Sequence, residues 1–306
     1  MISNKKILVT GGCGFLGSHI VDELIKEKNK VVVVDNLSSG RLQNLNKSAI
    51  FYSIDIENLS ALEKIFKKYN FNYIFHIAAK INTSIETENT NDDVSNQILG
   101  SLNIINLSVK YKISKLIYGS SVAIYGHQKN LPVNENAKKD LSNSYSICKA
   151  TVENYLEYFN KFYKLKFNSI RYSNIYGPRQ VEMGEVGVVA IFINNILKKK
   201  KINLIGKGLN SRDYIFVKDA ANLTINALKN NYSGHINLGS GKNTKTIEIY
   251  RILKKINPRI KFKYKPNRIN EIKKFCCNIK KMKKYLGNIK TNLDDGIKIT
   301  YLHDKF

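Results

Sequence analysis

With 306 residues, 43% of them hydrophobic, the chain can build one large domain or two smaller ones around a substantial core. No window approaches the ~18 uninterrupted apolar residues of a membrane span, and Met1-Ile2-Ser3-Asn4-Lys5-Lys6 does not begin a secretion signal, so the expectation is a cytoplasmic protein without a membrane partner. The net charge of +26 raises the question of a polyanion, but lysines run along the whole chain, with short clusters only at Lys198 to Lys201 and around Lys280-Lys281 and Lys283-Lys284; a solvated surface that steers anionic substrates is expected, with no nucleic acid as partner.

In chain order, the first half alternates β-branched runs with amphipathic stretches, the pattern of βαβ units closing a parallel sheet. Strands are expected at Ile7 to Thr10, Val31 to Val34, Ile50 to Ile54, Tyr73 to Ile77, Leu116 to Tyr118 and Phe167 to Arg171. Helices are expected at Phe15 to Lys28, Leu59 to Tyr69, Val94 to Tyr111 and Tyr145 to Phe162. After Ser173 the pattern is less regular, with loops around Gly177-Pro178, Gly206 to Asn210 and Gly239 to Lys242. The expected fold is α/β: a doubly wound parallel Rossmann sheet over 1–173, and a smaller C-terminal lobe over 174–306, some segments of which return to the sheet. Cys13, Cys148, Cys276 and Cys277 lie in unrelated segments or side by side, which suits neither a disulfide framework nor a metal site.

Gly11, Gly14 and Gly17 stand between the first strand and the first helix. Glycine lets the chain turn tightly, lets backbone approach a pyrophosphate and lets helix pack on strand, while the helix N-terminus holds phosphate charge. The second strand ends in Asp35, where a dinucleotide fold places the acid that binds the adenosine ribose and repels a 2′-phosphate, so NAD is favoured over NADP. Asp55, after the third strand, either lies near the adenine or closes a turn.

Tyr145 and Lys149 are four residues apart, on one face if the stretch is helical. Bringing a phenol from pKa ~10 to ~7 takes ~4 kcal/mol of preferential phenolate stabilisation, which a neighbouring ammonium and a positive nicotinamide ring can supply. Tyr250 to Lys254 has the same spacing, but only the first copy follows the fifth strand and the serine-rich Gly119 to Gly126, whose hydroxyls can bond a substrate oxygen.

These motifs together resemble the extended short-chain dehydrogenase/reductase family and, within it, the nucleotide-sugar epimerases. The resemblance covers nearly the whole chain: TGGCGFLGS at the start, DNLSSG from Asp35, HIAA from His76, SSVAIYG from Ser120, YSICK from Tyr145, RYSNIYGPRQ from Arg171 and SRDYIFVKD from Ser211. It implies Tyr145 as base, Lys149 as its partner on the nicotinamide ribose, and Ser121, rather than Ser120, as the catalytic hydroxyl. It implies further NAD contacts at Gly11, Gly14, Phe15, Leu16, Gly17, Asp35, Asn36, Ser39, Gly40, Asp55, Ile56, Ala78, Ala79 and Tyr172. Substrate contacts are implied at Ser121, at Asn174, at the diphosphate-clamping Arg212 and Arg268, at Glu271 in place of a ribose-binding aspartate, and at Phe275, whose ring is expected to crowd the space of an N-acetyl group. The chain departs from the family at Ile269-Asn270-Glu271, at Gln97, where an asparagine is usual and Asn96 is displaced by one, and at Lys207, which replaces an acid.

Related dehydratases carry an Asp-Glu pair beside the catalytic hydroxyl, and fucose-synthase-like relatives a cysteine, where this chain has Val122 and Ala123. The resemblance therefore implies NAD-dependent 4-epimerisation of a nucleotide-diphospho hexose, UDP-glucose/UDP-galactose first, through a transient 4-keto sugar. Competing readings are a UDP-glucuronate or UDP-N-acetylhexosamine 4-epimerase, a nucleotide-sugar 4-ketoreductase, and a non-enzymatic NAD-sensing or polyanion-binding protein. A homodimer is implied through the helices near Val94 to Tyr111 and Tyr145 to Phe162; the aromatics Tyr155, Tyr158, Phe159 and Phe162 serve either that contact or intrachain packing.

Overall fold

The structure is a computed structural model that describes residues 2–79, 90–180, 187–267 and 272–305. Its centre is a seven-stranded sheet in which every pairing is parallel, in the order β11-β6-β5-β4-β1-β2-β3. The strands are β1 (Lys6–Thr10), β2 (Lys30–Asp35), β3 (Ile50–Ser53), β4 (Tyr73–His76), β5 (Lys115–Ser121), β6 (Phe167–Tyr172) and β11 (Gly234–Leu238). Alternate residues of β1 serve opposite faces, as strand geometry requires. Ile7 and Val9 pack with helices α1 (Phe15–Lys26), α7 (Val217–Asn226) and α9 (Lys280–Tyr285), while Leu8 packs with α2 (Leu59–Tyr69), α4 (Gly100–Lys110) and α5 (Ser144–Tyr163). Covering both faces explains why Ile7-Leu8-Val9 of β1 and Val31 to Val34 of β2 are unbroken apolar runs. The order reverses between β1 and β4, and a crevice at such a switch point is where doubly wound sheets bind ligands.

A second group of elements gathers at a separate buried cluster that includes Tyr176, Phe192, Leu204, Phe216, Leu253 and Tyr301. They are the parallel pairs β7 (Asn174–Tyr176) with β10 (Tyr214–Phe216) and β8 (Ile202–Ile205) with β13 (Phe262–Lys265), the antiparallel pair β9 (Ser211–Arg212) with β12 (Thr244–Lys245), and helices α6 (Val188–Leu197), α8 (Thr246–Ile256) and α10 (Leu293–Lys305). No described helix is long and apolar enough to cross a membrane.

The structure differs from the sequence-based expectations in three elements. Strand β5 runs on to Ser121, so both serines belong to the sheet. The helix expected from Val94 is divided: a short α3 (Thr90–Asp93) leads into a π-helical stretch, Val94–Leu99, before α4 begins. Gly100 lies against Ile56, and a Cβ there would come within 2.6 Å of the isoleucine Cδ1. Strand β11, which sequence periodicity does not announce, closes the sheet beside β6 from Gly234↔Asn168 to Leu238↔Tyr172.

Candidate active site

The turn after β1 is built from glycines for different reasons. Gly11 has φ +72°, and a Cβ there would lie 2.7 Å from the Ala78 backbone. A Cβ on Gly17 would lie 2.0 Å from the Gly11 carbonyl oxygen. Gly14 is different: its φ of −77° is ordinary, and its hypothetical Cβ meets only Gly11 O, at 3.2 Å. The internal packing therefore gives little reason for glycine at 14, and a ligand lying against the turn gives a strong one. Helix α1 begins here without a side-chain cap and without an acid in its first turn, so its leading N–H groups and dipole are available to an anion.

Beside this turn, Asp35 is buried and its carboxylate is doubly anchored, accepting from Cys13 N at 2.9 Å and Leu37 N at 2.8 Å. Gly40 leaves room for it, since a Cβ there would stand 3.0 Å from both carboxylate oxygens. Asp55 accepts from Asn36 Nδ2 at 2.7 Å and Glu57 N at 2.9 Å, so it does close a turn and tie it to the residue after Asp35. Ser39 is exposed, Phe15, Ala78 and Ala79 are half-buried, and Leu16 and Ile56 are buried. Tyr172 is buried with its hydroxyl 2.8 Å from Thr224 Oγ1, so a cofactor contact from it must come from ring or backbone. An open helix N-terminus, a glycine without internal cause and a fixed carboxylate together fit a dinucleotide.

Across β4 from that turn lies the second group. Asn143 starts α5 with a reciprocal cap, its side chain accepting from Ser146 N at 2.8 Å, which sets the phase of Tyr145 and Lys149. Both are buried. Lys149 Nζ donates to Gly119 O at 2.7 Å and lies 4.8 Å from the Tyr118 ring centroid and 5.6 Å from that of Tyr145. Burial pulls the Lys149 ammonium down to about 8 against the opposing pull of Cys148 and Glu153. A cation with so little solvation is well suited to stabilising an adjacent phenolate.

The two serines at the end of β5 have separate partners. Ser120 Oγ donates to Glu153 Oε1 at 2.8 Å, whereas Ser121 Oγ accepts from Ala123 N at 3.1 Å, a bond that leaves its own proton to give. His76, one strand over, is buried between Thr10 Oγ1 at 2.7 Å and Ser101 Oγ at 2.8 Å. Burial, then the Lys149 charge, pushes it down to about 3, so it is neutral.

Asn174 opens β7 opposite Tyr214, with its N–H on Asp213 O at 3.0 Å. Arg212 is half-buried on β9. Arg268 and Glu271 lie outside the described residues. Phe275 is 3% exposed and its ring stacks on Tyr125 at 6.2 Å in a cluster with Ile124, Val133, Ala150 and Cys277. The structure gives this ring a packing role.

Two buried acids were not legible as site residues. Asp213 accepts from Ser240 N, Ser240 Oγ, Gly241 N and Cys277 N between 2.6 and 3.1 Å, joining three loops. Glu153 stands four residues beyond Lys149, and that spacing is the one signal that placed it on the same helix face.

Residues 7–239 match the model of the NAD dependent epimerase/dehydratase family. A putative UDP-glucose 4-epimerase of Methanocaldococcus jannaschii is 38% identical over 95% of this chain and 96% of its own. A UDP-glucose 4-epimerase of Thermotoga maritima, solved with UDP-glucose, superposes with a TM-score of 0.94 at 38% identity, covering 98% of both chains. A Thermus thermophilus UDP-glucose 4-epimerase in complex with NAD superposes with a TM-score of 0.91 at 31% identity, covering 97% of this chain and 98% of that one.

Proposed function

Because the chain belongs to the NAD-dependent epimerase/dehydratase family, we propose that it is an NAD-dependent enzyme that inverts carbon 4 of a UDP-hexose, with UDP-glucose and UDP-galactose as the first pair to test. The observation that carries this reading is the buried Lys149 beside the Tyr145 ring, bonded to the strand that ends in Ser121. When bound, NAD supplies a reversible two-electron acceptor for the carbinol carbon.

In this reading the Gly11 to Gly17 turn and the α1 N-terminus hold the pyrophosphate, and Asp35 holds the adenosine ribose. Lys149, its charge poorly solvated, keeps Tyr145 ionised, and Tyr145 accepts the proton of the sugar 4-hydroxyl. Ser121 keeps its proton and donates a hydrogen bond through it to the same oxygen as charge shifts there. The 4-keto sugar then turns over in the site and recovers the proton from Tyr145 on reduction. Asn174, Arg212 and Arg268 are assigned to the diphosphate, whose grip lets the hexose pivot while the nucleotide stays put.

The test is incubation of purified protein with UDP-, dTDP- and GDP-hexoses without added cofactor, followed by chromatography for epimers. Conversion of one UDP-hexose into its 4-epimer is expected; NAD(P)H consumption without epimer formation would instead identify a reductase. A homodimer belongs to the same reading, supported by Tyr155, Tyr158 and Phe162, exposed on α5 by 39%, 46% and 60%. Light scattering that gave only a 34.9 kDa particle would exclude it. A cytoplasmic location is likewise part of the proposal, consistent with four buried free thiols.

A further inference from the structure

Tyr145, Lys149 and Glu153 follow one another at intervals of four along α5, which puts them on one helix face. All three are buried, Glu153 completely. Two of them are fastened to consecutive residues of β5: Lys149 Nζ donates to Gly119 O at 2.7 Å, and Glu153 Oε1 accepts from Ser120 Oγ at 2.8 Å. The residue that follows is Ser121, the last of the strand.

The Glu153 carboxylate is itself firmly held. Arg171 donates to it twice, Nε to Oε1 and Nη2 to Oε2, both at 2.8 Å; Ser169 Oγ donates to Oε1 at 2.9 Å, and Lys139 Nζ stands 3.2 Å from Oε2. The remaining Arg171 nitrogen reaches Tyr125 OH and Glu135 O, both at 2.8 Å. His235 Nδ1, on β11, is 3.6 Å from Oε1. Burial alone pushes the Glu153 carboxyl up, but the Arg171 hydrogen bonds, then the charges of His235, Arg171 and Lys139, bring it down to about 2. Buried ion pairs are often no more stabilising than apolar residues of similar volume. Their directional bonds, however, fix geometry.

We propose that Glu153, anchored by Arg171, is a positioning residue for Ser121: by holding the Ser120 hydroxyl it fixes the rotation of the end of β5, and so the direction in which the Ser121 hydroxyl meets the reacting oxygen. Neighbouring strand residues face opposite ways, so a rotation that frees one side chain swings the other. The inference rests on the reading of Ser121 as the hydroxyl that contacts substrate.

Ser120→Ala removes one bond and leaves the ion pair in place, Ser120→Thr keeps a hydroxyl, and Glu153→Asp keeps the charge but draws it back by a methylene. All are assayed with UDP-galactose and UDP-glucose, alongside bound NAD and melting temperature. A misplacement of about 1 Å costs roughly a hundredfold in rate, so a partial loosening predicts that Ser120→Ala and Glu153→Asp lose about tenfold in kcat with KM and NAD content within about twofold, while Ser120→Thr stays within about threefold of wild type. An unchanged kcat in Ser120→Ala overturns the positioning role alone. So does a joint fall of kcat, NAD content and melting temperature that Ser120→Thr fails to restore. A wild type that converts neither UDP-sugar sinks the proposed reaction with this inference, so the two failures are distinguishable.

Discussion

Gly17 is required by the packing of the turn, whereas Gly14 is, on the proposed reading, required by a ligand. In Gly17→Ala the new methyl would stand 2.0 Å from Gly11 O, so the turn must retreat by about 1.2 Å to reach even a tight contact; overpacking of this kind costs about 1–3 kcal/mol, or roughly 2–10 °C in melting temperature. In Gly14→Ala the backbone is already in a region open to alanine and the nearest atom, Gly11 O at 3.2 Å, has to give by only a few tenths of an ångström, so the main internal cost is that of a poorer N-cap, about 0.5–1 kcal/mol. Its methyl, however, would enter the space that the proposed cradle gives to the pyrophosphate. NAD affinity should fall at least about tenfold, or 1.4 kcal/mol, in both variants, with stability largely kept only in Gly14→Ala. Calorimetric titration with NAD, paired with thermal melts, measures both quantities. A Gly14→Ala protein that binds NAD like wild type would refute the cradle as described.

Tyr145→Phe should lower kcat by at least a hundredfold while bound NAD, released by denaturation and quantified, stays at the wild-type level. Thermal stability should fall in acid. The folded pKa values of His19 and His76, lowered chiefly by burial to about 4 and about 3, lie below the 6.5 of the unfolded chain, so unfolding takes up protons and stability present above pH 6.5 is lost as pH falls toward those values. At about 1.4 kcal/mol per unit, His19 alone withdraws about 3 kcal/mol by pH 4; melting temperatures that are flat from pH 7 to 4 would contradict this. Phe275→Ala should cost about 3–5 kcal/mol by emptying a core position, read from denaturant melts. A variant that instead keeps its stability and gains UDP-N-acetylglucosamine turnover would show the ring to be a wall of the sugar site.

The parallel sheet was legible because strands covered on both faces are written as unbroken β-branched runs, as in Val31 to Val34, all at most 1% exposed. Strand β11 escaped notice for the opposite reason. Its Asn237 is fully buried, which is tolerable only because Tyr125 OH donates to its side chain and that side chain donates to Val133 O, partners 112 and 104 residues away. Arg171 has the same character: its 1% exposure depends on Glu153, and no local pattern announces the pair. The π-helical stretch at Val94–Leu99 was missed because apolar periodicity does not register one residue too many in a turn. At the site, family motifs named Ser121, Tyr145 and Lys149, but they do not show that the Ser120 hydroxyl is taken up by a carboxylate 33 residues downstream.

Helix α1 and the loop after β7 are joined in a way that connects the two halves of the site. His19 Nε2 lies 3.0 Å from Pro178 O, and Arg179 pairs with Asp22 at 2.8 Å. A carbonyl oxygen can only accept, so Nε2 must carry the proton, and a pKa near 4 leaves the imidazole neutral at pH 7 with that nitrogen as its single donor. The helix whose N-terminus faces the proposed phosphate site therefore also carries the loop that leaves Asn174 and Tyr176. An epimerase of this design has to release the hexose enough for it to rotate while keeping nucleotide and cofactor in place. On the proposed assignments, the contacts of His19 with Pro178 and of Asp22 with Arg179 tie the start of the substrate-side loop to the cofactor-side helix, which leaves the freedom that inversion requires to the sugar.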